Sequence, residues 1–429
     1  KILMGGIPTA YSPKYIKLLI DNNYTIVKVC QVTEKPNIIR QVTDILSPGT
    51  YLESYNLEDN NYMMSVYIET ISDWTAVGMS VIDISTGKNY VYQIGQNIDP
   101  NYWKDEISRI INYYSPKEFL FQTKHINLQE NDIMNYWDIQ NAILRVNHYT
   151  DQTYETISYQ NELLQKVFCF DSHISPIEQL DMCHKYELCK SYIYMLQYIH
   201  EHKVDSLRNI NLPELINNIH SLSLTSNSVR QLNIINNYSY YKGKYDSLYS
   251  ICNECGFIGG RRLLKHRLLY PSIDKQFLHQ SYHKINCMRQ NDIYTQFKPH
   301  IRKLTDLDKS LRKMGLDLLT PKDFIATNSS YCFVTRLLSC LDIYPELRQL
   351  YQEYDHDITT YINFYQTIKD SIHIPSLYES EQSYFKQGIY TDLDDVSETI
   401  QKTRQKLQYI SDKFSSILDS PNSCKIDST

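Results

Sequence analysis

Cys252-Asn-Glu-Cys255 places two soft ligands at the spacing zinc sites use, with His266 further along the chain. One Cys-x-x-Cys is half a site, because a closed zinc centre needs four donors and no second such pair occurs. The two cysteines therefore read as part of a helical turn inside a core. Asp83, with Glu69 and Asp73 near it in sequence, is a carboxylate that could hold a divalent cation for phosphodiester cleavage. That chemistry needs several carboxylates converging on one point, and no clear set is visible. Asp83 then reads as a cap on a strand end before the turn Ser85–Gly87. Arg261, Arg262, Lys265, His266 and Arg267 offer cations to phosphates. Leu263, Leu264, Leu268 and Leu269 interleave with them, which predicts an amphipathic helix whose charged side is solvated or ion-paired.

Other groups are quickly bounded. A P-loop needs Gly, four residues, then Gly-Lys-Ser/Thr. The Gly-Lys pairs stand at 87–88 and 243–244, and positions 82 and 238 are Ile and Tyr. Neither is a P-loop, so no ATP hydrolysis is expected of these residues. Cys30 sits in an apolar strand without a base or helix N-terminus nearby to lower its pKa, and reads as core packing. Tyr238–Tyr241 could stack on bases, yet with 38 tyrosines in the chain composition alone accounts for them.

A chain of 429 residues with 42% hydrophobic content is expected to form two to four domains. The net charge of −6, from 43 basic and 49 acidic residues, excludes a generally basic nucleic-acid binder and leaves only local patches for that role. The 10 cysteines do not cluster like a secreted disulfide framework, which points to a reducing intracellular compartment. No apolar run reaches the length of a membrane span, so no membrane partner is expected. The first residue is Lys1, and the short apolar start runs into Gly5-Gly6-Ile7-Pro8 unlike a signal peptide. The sequence is expected to begin partway into a longer protein.

The elements that must position these residues change along the chain. Ser12 and Pro13 predict the start of a helix with Ile16, Leu19 and Ile20 on its apolar face. A β-rich run follows over 24–32, and Pro48-Gly49 marks a turn. Tyr62, Met64, Val66 and Ile68 alternate as a strand, and two further strands around the turn 85–88 predict an antiparallel meander. A helix over 102–114 and a short buried strand over 118–122 complete this part. From about 176 the period becomes helical, with Leu188, Tyr192, Met195, Leu196 and Ile199, and helices are predicted over 262–270, 302–315, 333–352 and 355–371. The last helix, 393–418, carries Leu393, Val396, Ile400, Thr403, Leu407, Ile410, Phe414 and Ile417 at alternating three- and four-residue steps. This heptad seam has one polar member and favours a partner helix.

Several segments together resemble the MutS family of DNA mismatch-repair proteins. Gly6-Ile7-Pro8, Tyr15, Leu18, Val27–Gln31, Arg40-Gln-Val42 and Ser47-Pro48-Gly49-Thr50 resemble the end of the family's mismatch-binding domain, although the usual His after Gly-Ile-Pro and a Glu in the strand are replaced. Asp83-Ile-Ser-Thr-Gly87 resembles a strand end of the connector domain. Ser228, Arg230 and Leu232 resemble a Thr-Arg-Arg-Asn-Leu-Glu segment with Gln231 and Asn233 as departures. Gly260, Arg262, Leu264, Leu268 and Pro271 follow another motif without its Thr and Trp. Asp306-Leu-Asp308, Pro321-Lys-Asp323, and Gly388-Ile-Tyr390 with Leu393-Asp394 complete the series in family order.

The resemblance implies a multi-domain fold, α/β followed by all-α. Residues 1–50 would end the mismatch-binding domain and 51–175 would be a self-folding, RNase H-like connector without nuclease activity. Residues 176–390 would form the helical lever/core, and 391–429 the first limb toward the clamp. The family's Phe-x-Glu wedge lies upstream of the Gly-Ile-Pro segment and its ATPase downstream, so ATP and Mg are implied only for a full-length protein. The implied partners are double-stranded DNA with mismatches, a second MutS-type subunit in a homo- or heterodimer, and a MutL-like protein. The Asn, Ile, Lys and Tyr bias is that of an AT-rich coding sequence, as in a large DNA virus or an organelle. The alternatives are a relative acting on recombination or branched DNA, which the Phe-x-Glu wedge would discriminate, and a structural scaffold without an ATPase. Gly260 precedes a helix expected to pack through Leu264 and Leu268, so a side chain there is expected to be excluded.

Overall fold

The computed structural model describes residues 6, 8, 11–33, 39–51, 61–71, 74–95, 101–126, 128–137, 139, 142–148, 152–216, 221–222, 224–235, 243–373 and 384–417. Ile7, Asp73 and Tyr238–Tyr241 lie outside them. The chain is mixed α/β with mostly helical content and divides into two compact units. The first is Lys1–Ile285 with Thr305–Leu319, and the second is Asn286–Leu304 with Thr320–Thr429.

The first unit opens with α1 (Ser12–Asp21) and an antiparallel ribbon of β1 (Ile26–Gln31) and β2 (Arg40–Leu46). Pro13 is in the first turn as expected, but Ser12 is already helical and Tyr11 occupies the cap without a side-chain bond. Ile20, Leu46 and Tyr51 bury the base of the ribbon, against which Ile16 and Ile26 pack. Val27, Val29 and Val42 remain more than half exposed. Cys30 is therefore only half-buried, with the Thr43 hydroxyl 3.5 Å from its sulfur, and its expected core position is corrected. A two-stranded ribbon has too little apolar surface to enclose its own strands.

A second sheet is the centre of this unit. Its strands are β3 (Tyr62–Ile71), β4 (Trp74–Asp83), β5 (Lys88–Ile94), β6 (Glu118–Lys124), β7 (Ile143–His148) and β8 (Glu214–Leu215), in the order β7-β6-β3-β4-β5-β8. β3, β4 and β5 form the predicted antiparallel meander, while β6 pairs parallel with β3 and β7, and β8 parallel with β5. The two-residue period sorts the core. Met64, Val66, Ile68, Val77, Met79 and Phe121 face α2 (Tyr102–Tyr114) and α3 (Glu130–Trp137), where Ile107, Ile110 and Trp137 meet them. Met63, Ile82, Ile84 and Leu120 face the other way, toward α4 (Ile157–Phe168), α5 (Pro176–Gln179) and α6 (Tyr186–His202). Tyrosines build one edge of the core: Tyr62, Tyr90, Tyr92 and Tyr113 surround Tyr114, whose hydroxyl lies 2.6 Å from that of Tyr92.

α6 packs directly on the second face of the sheet. Leu188, Tyr192, Ile193, Met195, Leu196 and Ile199 are all fully buried. The Ser191 hydroxyl donates to the Ser65 carbonyl at 2.9 Å and lies 2.7 Å from the Ser80 hydroxyl. At Gly78 the helix backbone takes the place of a side chain: a Cβ there would fall 2.0 Å from the Glu187 carbonyl carbon. The folding unit of the sheet thus extends past residue 175, because α6 closes its second face. A self-folding 51–175 is corrected on that ground.

The rest of the first unit is helical: α7 (Ser226–Gln231), α8 (Leu248–Cys252), α9 (Ile258–Leu269), most of α10 (Lys275–Arg289) and α12 (Leu307–Gly315). The second unit holds α11 (Tyr294–Ile301), α13 (Pro321–Asp342), α14 (Pro345–Leu350), α15 (Asp355–Ser371) and α16 (Thr391–Ile417). Cys287, Ile293, Phe297 and Leu347 form its core, and Tyr331 meets Tyr361, Phe364 and Tyr365 between α13 and α15. The predicted 333–352 helix is two helices. α13 starts at a capping box in which the Thr320 hydroxyl accepts from the Asp323 N–H and Asp323 accepts from the Thr320 N–H, and Pro345 opens α14. α16 spans roughly 40 Å at the usual helical rise. All its described seam hydrophobics are exposed, from Leu393 at 43% to Ile417 at 74%.

Candidate functional site

Three polar junctions in the first unit tie together segments far apart in sequence. At the first, Glu118 opens β6 with its side chain wholly buried. Its Oε2 accepts from the Ser47 hydroxyl at 2.6 Å and the Gly49 N–H at 3.1 Å, and its Oε1 from Arg145 Nε at 3.0 Å and the Tyr198 hydroxyl at 2.6 Å. A buried carboxylate is costly unless donors surround it, and here four do, one of them cationic. Burial, with the carboxylate beside it, pushes the Tyr198 phenol well above its usual range. The buried turn Ser47-Pro48-Gly49-Thr50 is held further by Asn61 Nδ2, which donates to the Pro48 carbonyl at 2.6 Å. Gly49 is required there, since a Cβ would lie 2.8 Å from Glu118 Oε2.

The second junction is the turn after β4. Asp83 Oδ1 accepts from the Ser85 N–H at 2.9 Å and the Ser85 hydroxyl at 2.5 Å, and Oδ2 from the Thr86 hydroxyl at 3.0 Å. Gly87 adopts φ +75° and donates to the Asp83 carbonyl at 2.8 Å. Arg312 of α12 lies across this turn. It donates to the carbonyls of Ile84 at 3.2 Å, Ser206 at 2.7 Å and Arg208. Burial lowers its pKa to about 10, so it stays charged at neutral pH. Both Asp83 oxygens thus accept within their own turn. Among the described residues no group of three or more His, Cys, Asp or Glu could hold a metal ion.

The third junction assigns one residue of the basic run. Arg262 of α9 makes a two-pronged pair with Asp306 at 2.9 and 3.2 Å, and Asp308 accepts from Lys88 at 2.9 Å. Burial works against the Arg262 cation, but the hydrogen bonds and charge of Asp306 raise its pKa nonetheless. His266 stacks on Tyr270 at 5.3 Å, and burial holds it below the usual imidazole range.

The remaining motif residues lie apart from these junctions. Gly6 and Pro8 are exposed, and the Pro8 carbonyl accepts from the Tyr11 N–H at 2.9 Å. Arg230 is exposed in the last turn of α7, and the Pro271 carbonyl accepts from the Leu222 N–H at 2.8 Å. In the second unit, Asp323 caps α13, and Gly388 adopts φ +91° while donating to Asp394 at 2.7 Å. Cys252 is exposed at the end of α8 and Cys255 is half-buried, so the pair is not inside a core as expected. Burial raises the Cys255 thiol above its ordinary value.

Gly260 is corrected too. It lies within α9, and a Cβ would meet Cys255 at an ordinary 3.5 Å. Gly260→Ala is expected to be stabilising by about 0.5–1 kcal/mol, because glycine costs that much inside a helix. A lowered urea midpoint would contradict this.

Glu118, Arg145, Tyr198 and Arg312 were not evident from sequence. Glu118 alone left a signal, as the one charged residue opening the apolar run Phe119-Leu120-Phe121.

A family model described as MutS domain III matches residues 227–420. A putative DNA mismatch repair protein mutS homolog L359 of Acanthamoeba polyphaga mimivirus is 26% identical, covering 96% of this chain and 40% of that protein. The DNA mismatch repair protein MutS of Caldanaerobacter subterraneus subsp. tengcongensis is 28% identical over 91% of this chain and 43% of its own length. The chain spans less than half the length of these curated relatives. Among solved structures, the fowlpox virus Holliday junction resolvase aligns with 33% of this chain and 99% of its own at 14% identity and a TM-score of 0.22.

Proposed function

Because the chain belongs to the MutS family, we propose that it acts in DNA mismatch repair as a non-catalytic middle region that couples DNA binding to an ATPase. In this reading residues 1–50 end a mismatch-binding domain and 51–175 supply most of an RNase H-like connector. Residues 176–390 carry the lever/core, and 391–429 lead toward a clamp. Mismatched double-stranded DNA, a second MutS-type subunit and a MutL-like protein are the partners of the whole protein. ATP and Mg act at an ATPase elsewhere in a longer polypeptide.

The observation that carries this reading is the set of junctions at Glu118, Arg312 and Arg262. Each is a charged side chain held by partners up to 228 residues away, in place of a cluster of groups facing a substrate. Such cross-links suit an element that passes on displacement. The seam of α16 gives the same reading a stiff rod with a face open to another helix.

The test is a fluorescence-anisotropy titration of the 429-residue chain with a G·T-containing and a matched duplex at about 150 mM salt. Weak, salt-sensitive binding is expected, equal for the two duplexes and indifferent to ATP. A tenfold preference for the mispair, about 1.4 kcal/mol, would place a recognition element inside these residues and overturn the reading.

A further inference from the structure

The basic run of α9 gives Arg262 to an ion pair with Asp306, but the second unit assembles cations from two helices on one face. α11 carries Lys298 and is followed at once by Arg302 and Lys303, and α13 carries Arg336 on the adjoining helix. All four are exposed. Two of them meet at one aromatic ring: Lys303 Nζ lies 5.1 Å and Arg336 Cζ 5.3 Å from the centre of Phe333, and the His300 ring stands 6.1 Å from it. The two cations are therefore within roughly 10 Å of each other, about one Debye length at 0.1 M salt.

Nothing acidic on these helices offsets them. α11 has no Asp or Glu. Asp323 of α13 is engaged in its capping box, and Asp342 with Arg348. Among the described residues, Lys298, Arg302, Lys303 and Arg336 make no ion pair. Cations near the C-terminus of α11 gain from its dipole. That accounts for Lys298 and Arg302 but not for Arg336, which stands within α13. Like charges drawn together without a carboxylate favour an external anion, and a half-buried ring beneath them fixes two of the side chains in place.

We propose that this face of α11 and α13 binds the phosphate backbone of duplex DNA without reading its sequence. The choice of duplex DNA rests on the mismatch-repair reading above. Tyr294 is the exposed ring of α11, one turn from Lys298, but the ring that Lys303 and Arg336 share, Phe333, is half-buried beneath them, so the cations face outward and suit contact with the backbone.

The experiment is an anisotropy titration of the full chain with a matched duplex over 50–200 mM salt. It compares the unsubstituted chain with Lys303→Gln/Arg336→Gln, and with Lys402→Gln/Lys406→Gln on α16 as a control. Glutamine keeps much of each stem, and far-UV circular dichroism of each variant checks that the helices persist. The proposal expects the Lys303/Arg336 pair to weaken binding about tenfold at low salt, and the logarithmic salt slope to fall by nearly 2. The control should lose far less. Unchanged affinity and slope in the Lys303/Arg336 variant, a larger loss in the control, or binding of a heparin-like polyanion but not of DNA would each overturn it. A mispair preference in the unsubstituted chain would instead overturn the functional reading and leave the patch standing.

Discussion

Gly78→Ala is expected to unfold the first unit, or to cost it at least about 3 kcal/mol. The reason is geometric. The added Cβ would fall 2.0 Å from the Glu187 carbonyl carbon, 2.1 Å from its oxygen and 2.2 Å from the Leu188 nitrogen. Overpacking against a flexible side chain can relax, but these are backbone atoms of α6. The helix could move only by lifting Leu188, Tyr192 and Leu196 off Met63, Ile82 and Leu120, which would also break the Ser80–Ser191–Ser65 contacts. All three tryptophans, Trp74, Trp103 and Trp137, lie in this unit. Tryptophan emission during urea unfolding therefore reports on it selectively. Gly95→Ala, where nothing lies within 4 Å of the added methyl, serves as the control. Equal urea midpoints for Gly78→Ala and the parent would refute the close approach of α6 to β4.

Glu118→Gln is expected to be nearly as damaging as Glu118→Ala, each costing about 3 kcal/mol. Every partner of this carboxylate is a donor: the Ser47 hydroxyl, the Gly49 N–H, Arg145 Nε and the Tyr198 hydroxyl. A glutamine amide keeps one acceptor oxygen and turns an NH₂ toward two of these donors. A buried donor left without an acceptor costs about 1–3 kcal/mol, and a buried ion pair that loses one member about 3–5. Arg145 is 38% exposed and can regain water, which places the expectation at the lower end. Hydrogen exchange gives the sharper readout. The amides of residues 47 and 49–51 should lose protection in both variants, while those of β4 lose less. A glutamine variant matching the parent in stability and exchange would show that the charge at 118 does not hold the turn.

What was legible in the sequence follows from which forces act locally. The meander of β3 to β5 showed in the two-residue alternation of Tyr62 to Ile68, and α6 in the helical spacing of Leu188 to Ile199. Both patterns are imprints of burial on one chain segment. The two-sided burial of α6 was not visible, because a helix pattern does not say which sheet it will cover. The capping box at Thr320 and Asp323 is local enough to be legible in the sequence, where Pro321 and Asp323 also match a family motif. The junctions were the least legible part. Arg312 sits among ordinary charged residues of α12, and only the third dimension brings it to carbonyls 104 to 228 residues away. The basic patch of the second unit has the same origin, since Arg336 is remote in sequence from Lys303.

The cover that α6 lays on the sheet also constrains how such a protein can be taken apart by evolution. A recombination event that exchanged residues 62–148 with a relative, cutting at the apparent seam near 175, would transplant a sheet without its lid. The donor's Gly78 would meet a foreign helix at a distance that tolerates no substituent. Viable exchanges must carry 186–202 along with the strands, or begin with a recipient whose helix already has a small residue at the place of Ser191. The heritable module is thus defined by a packing contact rather than by the order of segments along the gene, and chimaeras drawn at the two boundaries should differ sharply in yield.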